Sequence, residues 1–396
     1  MKKLICVCLI LAMCGALLSC KSLLYSTSPL PDISPKEVEE KQVQVPGEVY
    51  SLQKYNDGLL LQYQKPEQNL TECCLGFWNE NGTILWEWEI SPTFDSLHLF
   101  GEEGIFLRTN SGFSFLNQDG SLLWEIEKFD GYMEMNVALP DHAGGVYLLG
   151  RDTVYHIDRH GQLATREPFE DMENLSALSG WPGADSGYWI LGTRSDRDER
   201  FLAHVGADFR VIQTFELFEQ QYPTVVFLPE ENWILLYGQA YTVDSHKEYG
   251  FLYEIDYDCN QKQYMEFGRY VPRSAIRLKD GRWLVSSSNR ARVADRVTLF
   301  SSDWKKSSTV PVKYWGTELF ALDDGGFAIV GDRLSPGQPY EALFMSSFTR
   351  HQVDLVYERF NAAGKLTCRK TYSAESSNSG YGYRSFVDKD GKLFLF

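Results

Sequence analysis

The sequence predicts an all-β chain made of one repeated two-hairpin unit, and two recurring signals together with one absence carry that prediction. The first signal is a tight turn ahead of an apolar strand. It reads YNDGLLLQY at Tyr55, GEEGIFLR at Gly101, HAGGVYLLG at His142, DSGYWILG at Asp185, PEENWILLYG at Pro229, KDGRWLVSS at Lys279, DDGGFAIVG at Asp323 and KDGKLFLF at Lys389. From Gly58 to Gly391 the equivalent turn positions are mostly 41 to 49 residues apart. The second signal is a hairpin turn at Asn81-Gly82, Asp119-Gly120, His160-Gly161 and Ala363-Gly364, with worn copies near Asp208, Cys259 and Asp303. It falls between copies of the first, so each unit reads as four strands. Sustained helical periodicity is absent, and the period is that of a four-stranded β-propeller blade.

The clearest hairpin is FSFLNQDGSLLWEIEKF, from Phe113 to Phe129. Asn117 to Gly120 supply turn chemistry, with glycine free to take positive φ. Beyond the turn Leu122, Trp124 and Ile126 alternate with Leu123, Glu125 and Glu127, the period-2 pattern of a strand with unlike faces. Eight copies of the first signal against seven of the second point to an eight-bladed ring whose last blade is composite. Its C-terminal hairpin, Ser385 to Phe396, would be completed by an N-terminal strand such as Gln42 to Val45, which also hides a strand edge. A seven-bladed ring with an appended hairpin is the alternative.

The best copies, Asp119-Gly120-Ser121-Leu122-Leu123-Trp124 and Asp324-Gly325-Gly326-Phe327-Ala328-Ile329-Val330-Gly331, resemble those of quinoprotein-type (PQQ-like) and DGGY-repeat β-propellers, over residues 47–396. The resemblance implies a propeller and does not imply the PQQ cofactor, because the repeat builds the ring irrespective of the cofactor. No cofactor is expected. A lipid-anchored propeller of this length is similar in plan to the lipoprotein of the outer-membrane barrel-assembly machinery, though no binding residue carries over.

The expected anchor lies at the start. Lys2 and Lys3, an apolar run from Leu4 to Leu18, then Ser19 and Cys20 follow the order of a secretory signal, and the run is short for a membrane span. Leu17-Leu18-Ser19-Cys20 resembles the bacterial lipobox, which implies cleavage after residue 19 and acylation of Cys20. Residues 20–46, with Pro29, Pro31, Pro35 and Pro46, read as a tether, and 47–396 as the propeller domain. The expected address is a bacterial membrane with the propeller outside the cytoplasm: the outer membrane in a Gram-negative cell, the surface in a Gram-positive one.

The 396 residues carry a formal charge of −16, and loss of residues 1–19 moves it to about −18, so nucleic acid is excluded as a natural partner. Cys73, Cys74, Cys259 and Cys368 are too few in so large a domain for a disulfide scaffold; one bridge or four free thiols both fit. Adjacent Cys73 and Cys74 point to opposite faces of a strand, so one at most is expected in the core. No metal-ligand spacing appears. Asp256-Tyr257-Asp258 and Asp388 to Gly391 have neither the length nor the terminal acid of a calcium loop and read as turns.

With 10 Trp and 22 Tyr the chain is aromatic-rich. Trp86, Trp88 and Trp124 fall in phase with strand alternation and are expected between blades, as are Tyr188, Trp233 and Phe327. The candidate binding residues lie on connections between the two hairpins. TRSDRDER and SNRARVADR bring Arg194, Arg197, Arg200, Arg290, Arg292 and Arg296 toward one end of the blades, with Arg333, Arg350 and His351 as possible additions. Guanidinium groups suit carboxylate or phosphate partners, while neighbouring Asp196, Asp198, Glu199 and Asp295 offer simple surface pairing instead. EALFMSSF, between Asp332 and Asp354, reads as an extra strand or a docking patch. No catalytic carboxylate pair, nucleophile elbow or cofactor loop is evident. The expected function is therefore a noncatalytic envelope module that binds a protein. The alternatives are a glycan platform using loop aromatics such as Tyr241, or a glycosidase or lyase with acids assembled by the fold.

Overall fold

The computed structural model describes residues 30–65, 73–79, 82–90, 94–109, 112–127, 137–150, 153–168, 175–183, 186–194, 199–217, 220–228, 231–241, 247–289, 295–334, 353–373 and 384–396. Within them lie seven four-stranded sheets and one of three strands, and in each of the seven the strands neighbour one another in chain order. Blades one to seven span 48–90, 94–126, 137–168, 175–216, 220–268, 270–310 and 315–372. The fold is an all-β propeller of eight blades, the eighth composite.

The hairpin chemistry read from the sequence is what shapes each blade. In blade two, Phe113–Leu116 and Leu122–Ile126 flank a turn in which Asp119 Oδ1 accepts from the Ser121 backbone N–H at 2.9 Å and Gly120 stands at φ +78°. The outer-strand tryptophan then reaches the next blade's turn. Trp86 Nε1 donates to the Gln118 carbonyl at 2.8 Å, and Trp124 Nε1 donates to the Gly144 carbonyl at 3.3 Å. Tyrosines make a parallel set of tethers: Tyr55 to the Gly101 carbonyl, Tyr188 to that of Pro140 and Tyr357 to that of Gly391, at 2.7, 2.9 and 2.8 Å. Each such indole or phenol buries apolar area and keeps its polar atom paired.

Two compact units are present, residues 44–272 and residues 1–43 with 273–396. The first holds blades one to five. Its cores lie between successive sheets: Trp86 and Trp88 pack with Leu75, Ile105 and Leu107, while Trp124 packs with Phe106, Ala138 and Leu148. Cys73 and Cys74 are both buried, not one alone, because inner blade strands are covered on both faces; all four described cysteines are free thiols.

The second unit holds the composite blade. Glu40–Gln42 pairs in parallel with Leu393–Leu395, which pairs antiparallel with Ser385–Val387. The predicted completion by an N-terminal strand is present, with a shift in its bounds. It sits at 40–42 rather than 42–45; it runs parallel, a direction the sequence leaves open, and with the hairpin it makes the sheet of three strands. Part of the segment read as tether is also bound to blade seven: Ile33 bridges to Arg369, and Cys368 Sγ donates to the Ser34 carbonyl at 3.3 Å. Polar backbone in 30–43 thus finds partners on neighbouring strands rather than water, which the proline content alone does not reveal.

Candidate interaction site

In a four-stranded antiparallel blade the first–second and third–fourth turns share one end, and the second–third connection shares the other with the blade's entry and exit. Arg194 and Arg200, which flank the second–third connection of blade four, lie at the latter end. In blade four, Tyr188–Arg194 runs into this end and Glu199–Val205 runs out of it, with Arg194 opposite Glu199. In blade five, Gln220–Leu228 starts there and Trp233–Tyr241 finishes there, which sets Tyr222 opposite Gln239 and Gln220 opposite Tyr241.

Side chains from the two blades meet at this end. The Arg200 guanidinium carbon stands 3.8 Å from the Tyr222 ring centre, a cation–π stack. The Tyr222 and Tyr241 rings stand 6.0 Å apart and nearly perpendicular, and Gln239 Nε2 donates to Tyr241 Oη at 3.2 Å. Arg194 Nη1 is 3.2 Å from Glu216 Oε1, and its guanidinium covers the Phe201 ring at 5.5 Å. Tyr222 is 40% exposed, so the stack is a surface feature and not a core contact. Three of the sequence-predicted residues, Arg194, Arg200 and Tyr241, are thereby placed in one neighbourhood. Tyr222, which touches Arg200 and Tyr241, has no mark in the sequence; it lies at the start of an ordinary apolar strand.

The other unit treats its predicted residues differently. Arg296 is exposed at the start of Arg296–Phe300. Asp295 beside it is buried rather than paired at the surface, accepting from Thr317 N and Oγ1 at 2.9 and 3.0 Å; burial pushes its carboxyl upward against those hydrogen bonds. Arg333 is buried too, directly opposite Asp354 in the sheet, and desolvation lowers its pKa while Asp354 opposes that shift. It extends a strand that the sequence reading ended too early, and it is no surface anchor. Cys20, Arg197, Arg290, Arg292, Arg350, His351 and the EALFMSSF stretch lie outside the described residues.

Three further polar groupings were invisible in sequence because their members are far apart or lie on unremarkable strands. The fully buried Tyr314 donates to Glu358 Oε2 at 2.7 Å, and Arg369 donates to Glu358 Oε1 through Nε and Nη2 at 2.6 and 2.5 Å. Ser96 Oγ and His98 Nε2 are 3.2 Å apart, with Arg108 opposite Ser96. Burial, with Arg108 adding to it, pushes the His98 imidazole down to about 4. The rings of Phe100 and Phe106, 6.4 and 6.0 Å from that imidazole, make the surroundings those of a packed polar pair. Among the described residues one group has metal-competent atoms within 4.8 Å of each other: Cys74, Glu87 and Glu89. Lys65 Nζ stands 2.5 and 3.3 Å from the two carboxylates and already supplies the positive charge a cation would bring.

No protein-family model matches this chain, and no curated protein matches its sequence. Solved structures do match. The Dos1 propeller is 12% identical, covers 92% of this chain and 93% of its own, and gives a TM-score of 0.54. A eukaryotic initiation factor is 11% identical over 84% of this chain and 90% of its own, with a TM-score of 0.51. A quinoprotein alcohol dehydrogenase-like protein from Bacteroides thetaiotaomicron is 12% identical over 67% of each chain, with a TM-score of 0.44. At these identities the likeness is one of fold: this chain is similar to β-propellers.

Proposed function

We propose that this chain is a noncatalytic binding module, a propeller tethered to a bacterial membrane through an acylated Cys20 and engaging a protein partner in the cell envelope. One observation carries the binding reading: an exposed aromatic ring, Tyr222, stacked under a guanidinium at a blade end whose connections are rich in arginine. Tyrosine and arginine are the side chains that most often anchor protein interfaces, and a stacked guanidinium keeps its edge donors available for carboxylate groups. Neighbouring propellers in the comparison lend the fold as a scaffold and nothing finer. The anchor rests on the signal-like start of the sequence and on Cys20 alone.

The test is in-cell crosslinking and purification of tagged full chain, native and with Arg200→Glu, Tyr222→Ala or Cys20→Ala. A discrete envelope protein recovered in near-equal amount with native chain, and lost with the Arg200 and Tyr222 variants, is the expected result. Equal recovery with all variants removes the site; recovery of the propeller alone removes the reading. The adjoining rings of the exposed Tyr222 and the half-buried Tyr241 favour one second reading, a glycan platform, since tyrosine rings also stack on sugars. Saturable glycan binding lost on Tyr241→Ala, without any protein partner, selects it.

A further inference from the structure

Among the described residues, six of the eight exposed large apolar side chains stand at the opening of a blade's fourth strand. They are Ile84 and Leu85, Leu122 and Leu123, Leu163 and Ile212, the first or second residue of the fourth strand in blades one to four. Leu85, Leu163 and Ile212 are 55, 51 and 54% exposed. A single exposed leucine calls for no explanation; the same exposure in four successive blades does. Blade architecture does not require it. Blades five and six begin the same strand with Gln261 and Lys262, and with Ser307 and Ser308. In blades one and two interblade packing is the work of the neighbours Trp86 and Trp124, so their aliphatic side chains are surplus to it.

Repeated blades of one unit are related by rotation about a shared axis, so equivalent residues lie along an arc in one plane. A flat surface can touch all four positions at once, whereas a bound peptide strand would follow one blade edge. Charge narrows the choice further. The adjoining turns carry Asp119, Asp158 and Asp208 against Arg159 and Arg210, and Arg210 Nε already stands 3.7 Å from Asp208. Their own turn hydrogen bonds hold the Asp119 and Asp158 carboxyls below the ordinary range, so both stay ionised. A second copy docked arc to arc would set two net-negative groups of turns against each other, since Arg159 and Arg210 do not balance Asp119, Asp158 and Asp208. An anionic surface would meet the same carboxylates and the −16 formal charge of the chain.

We infer that the arc of Ile84, Leu85, Leu122, Leu123, Leu163 and Ile212 rests on a bilayer surface of zwitterionic lipid. The aliphatic side chains enter the boundary between headgroups and acyl chains, and the turn carboxylates meet the outward ammonium groups. The inference goes beyond the binding reading and does not need the anchor. It leaves the opposite end of these blades, with Arg200 and Tyr222, facing water.

Amide hydrogen exchange of the full chain, with and without phosphatidylcholine vesicles, tests it. The expected result is exchange slowed severalfold at 84–86, 122–124, 163–165 and 211–213, but unchanged at 261–263 and 307–309. The slowing should weaken when half of the lipid is phosphatidylglycerol. It should vanish in a Leu85→Ser, Leu123→Ser, Leu163→Ser, Ile212→Ser variant, whose substitutions are exposed and leave the melting temperature in place. Equal exchange with and without vesicles overturns the inference. So does slowing that needs phosphatidylglycerol, that grows with protein concentration in the absence of lipid, or that appears only with added cell extract. No protein partner enters the measurement, so its failure is separate from failure of the binding reading.

Discussion

Glu40 Oε2 accepts a hydrogen bond from Lys370 Nζ at 2.6 Å, joining residues 330 positions apart. The same carboxylate accepts from Tyr372 Oη, and Lys392 Nζ stands 2.9 Å from Glu39. The N-terminal strand of the composite blade is therefore held by backbone pairing and by charge. Burial works to raise the Glu40 pKa, but the hydrogen bonds from Lys370 and Tyr372 outweigh it and hold the carboxyl below its ordinary value. Its contribution is present above pH about 4.5 and is lost as pH falls through the lower folded value. Because Glu40 is partly exposed, Glu40→Gln should cost less than about 1 kcal/mol. Leu393→Ala, at a fully buried position, should cost about 2–4 kcal/mol, and deletion of 385–396 should lower the melting temperature far more. A truncated chain that melts like the full one would show that the composite sheet contributes nothing to stability.

Gly120 illustrates a turn that admits no side chain. Its φ is +78°, and an added Cβ would stand 2.4 Å from the Trp86 indole. Gly120→Ala should lower stability by about 1–3 kcal/mol through backbone strain and indole displacement. Smaller neighbours discriminate the two causes. If displacement contributes, the alanine costs less in a Trp86→Leu background; an equal cost in both backgrounds assigns the whole effect to φ.

These two examples mark what the sequence discloses. Asp119, Gly120 and Trp124 act through neighbours a few residues away or one repeat on, so turn chemistry and period were enough to place hairpins, blades and interblade tryptophans. The strand count also exposed the missing partner of Leu393–Leu395, although not its direction, because a strand as short as Glu40–Gln42 has no periodicity to read. The burial of Asp295 and Arg333 escapes the sequence for a related reason. Charged residues near a presumed loop look exposed until Thr317 and Asp354, from other strands, are brought against them. The stack of Arg200 on Tyr222 joins two blades and has no local signature. Its arginine stood out from the chain's acidity, and its tyrosine did not.

His98 gives the chain a pH dependence in a defined window. Burial, aided by Arg108, lowers its pKa to about 4 from an ordinary 6.5. The unfolded chain thus binds this proton more readily than the folded one. Stability is full above pH about 6.5, falls as the pH drops toward 4, and levels off below it. The span sets an upper bound of about 3–4 kcal/mol. His98→Phe should flatten the profile between pH 4 and 6.5 in urea titrations. An unchanged slope would mean that the imidazole is solvated in the folded chain.

Glu358 concentrates the largest single-residue effect expected here. It is 1% exposed, and its carboxylate is shared by the Tyr314 hydroxyl and the Arg369 guanidinium. Arg369→Met leaves a buried carboxylate with one neutral donor, at a cost of about 3–5 kcal/mol. Tyr314→Phe removes a hydrogen bond to a charged acceptor, at a cost of about 1.5–3 kcal/mol. Replacing both charges, Glu358→Met with Arg369→Met, should recover part of the Arg369→Met loss, since methionines fill similar volume with no ion to desolvate while the buried Tyr314 hydroxyl loses its acceptor. The residues form one unit, so the double variant must be more stable than the two single losses added together predict. Simple additivity in urea-induced unfolding would assign each residue its own independent contacts and dissolve the network.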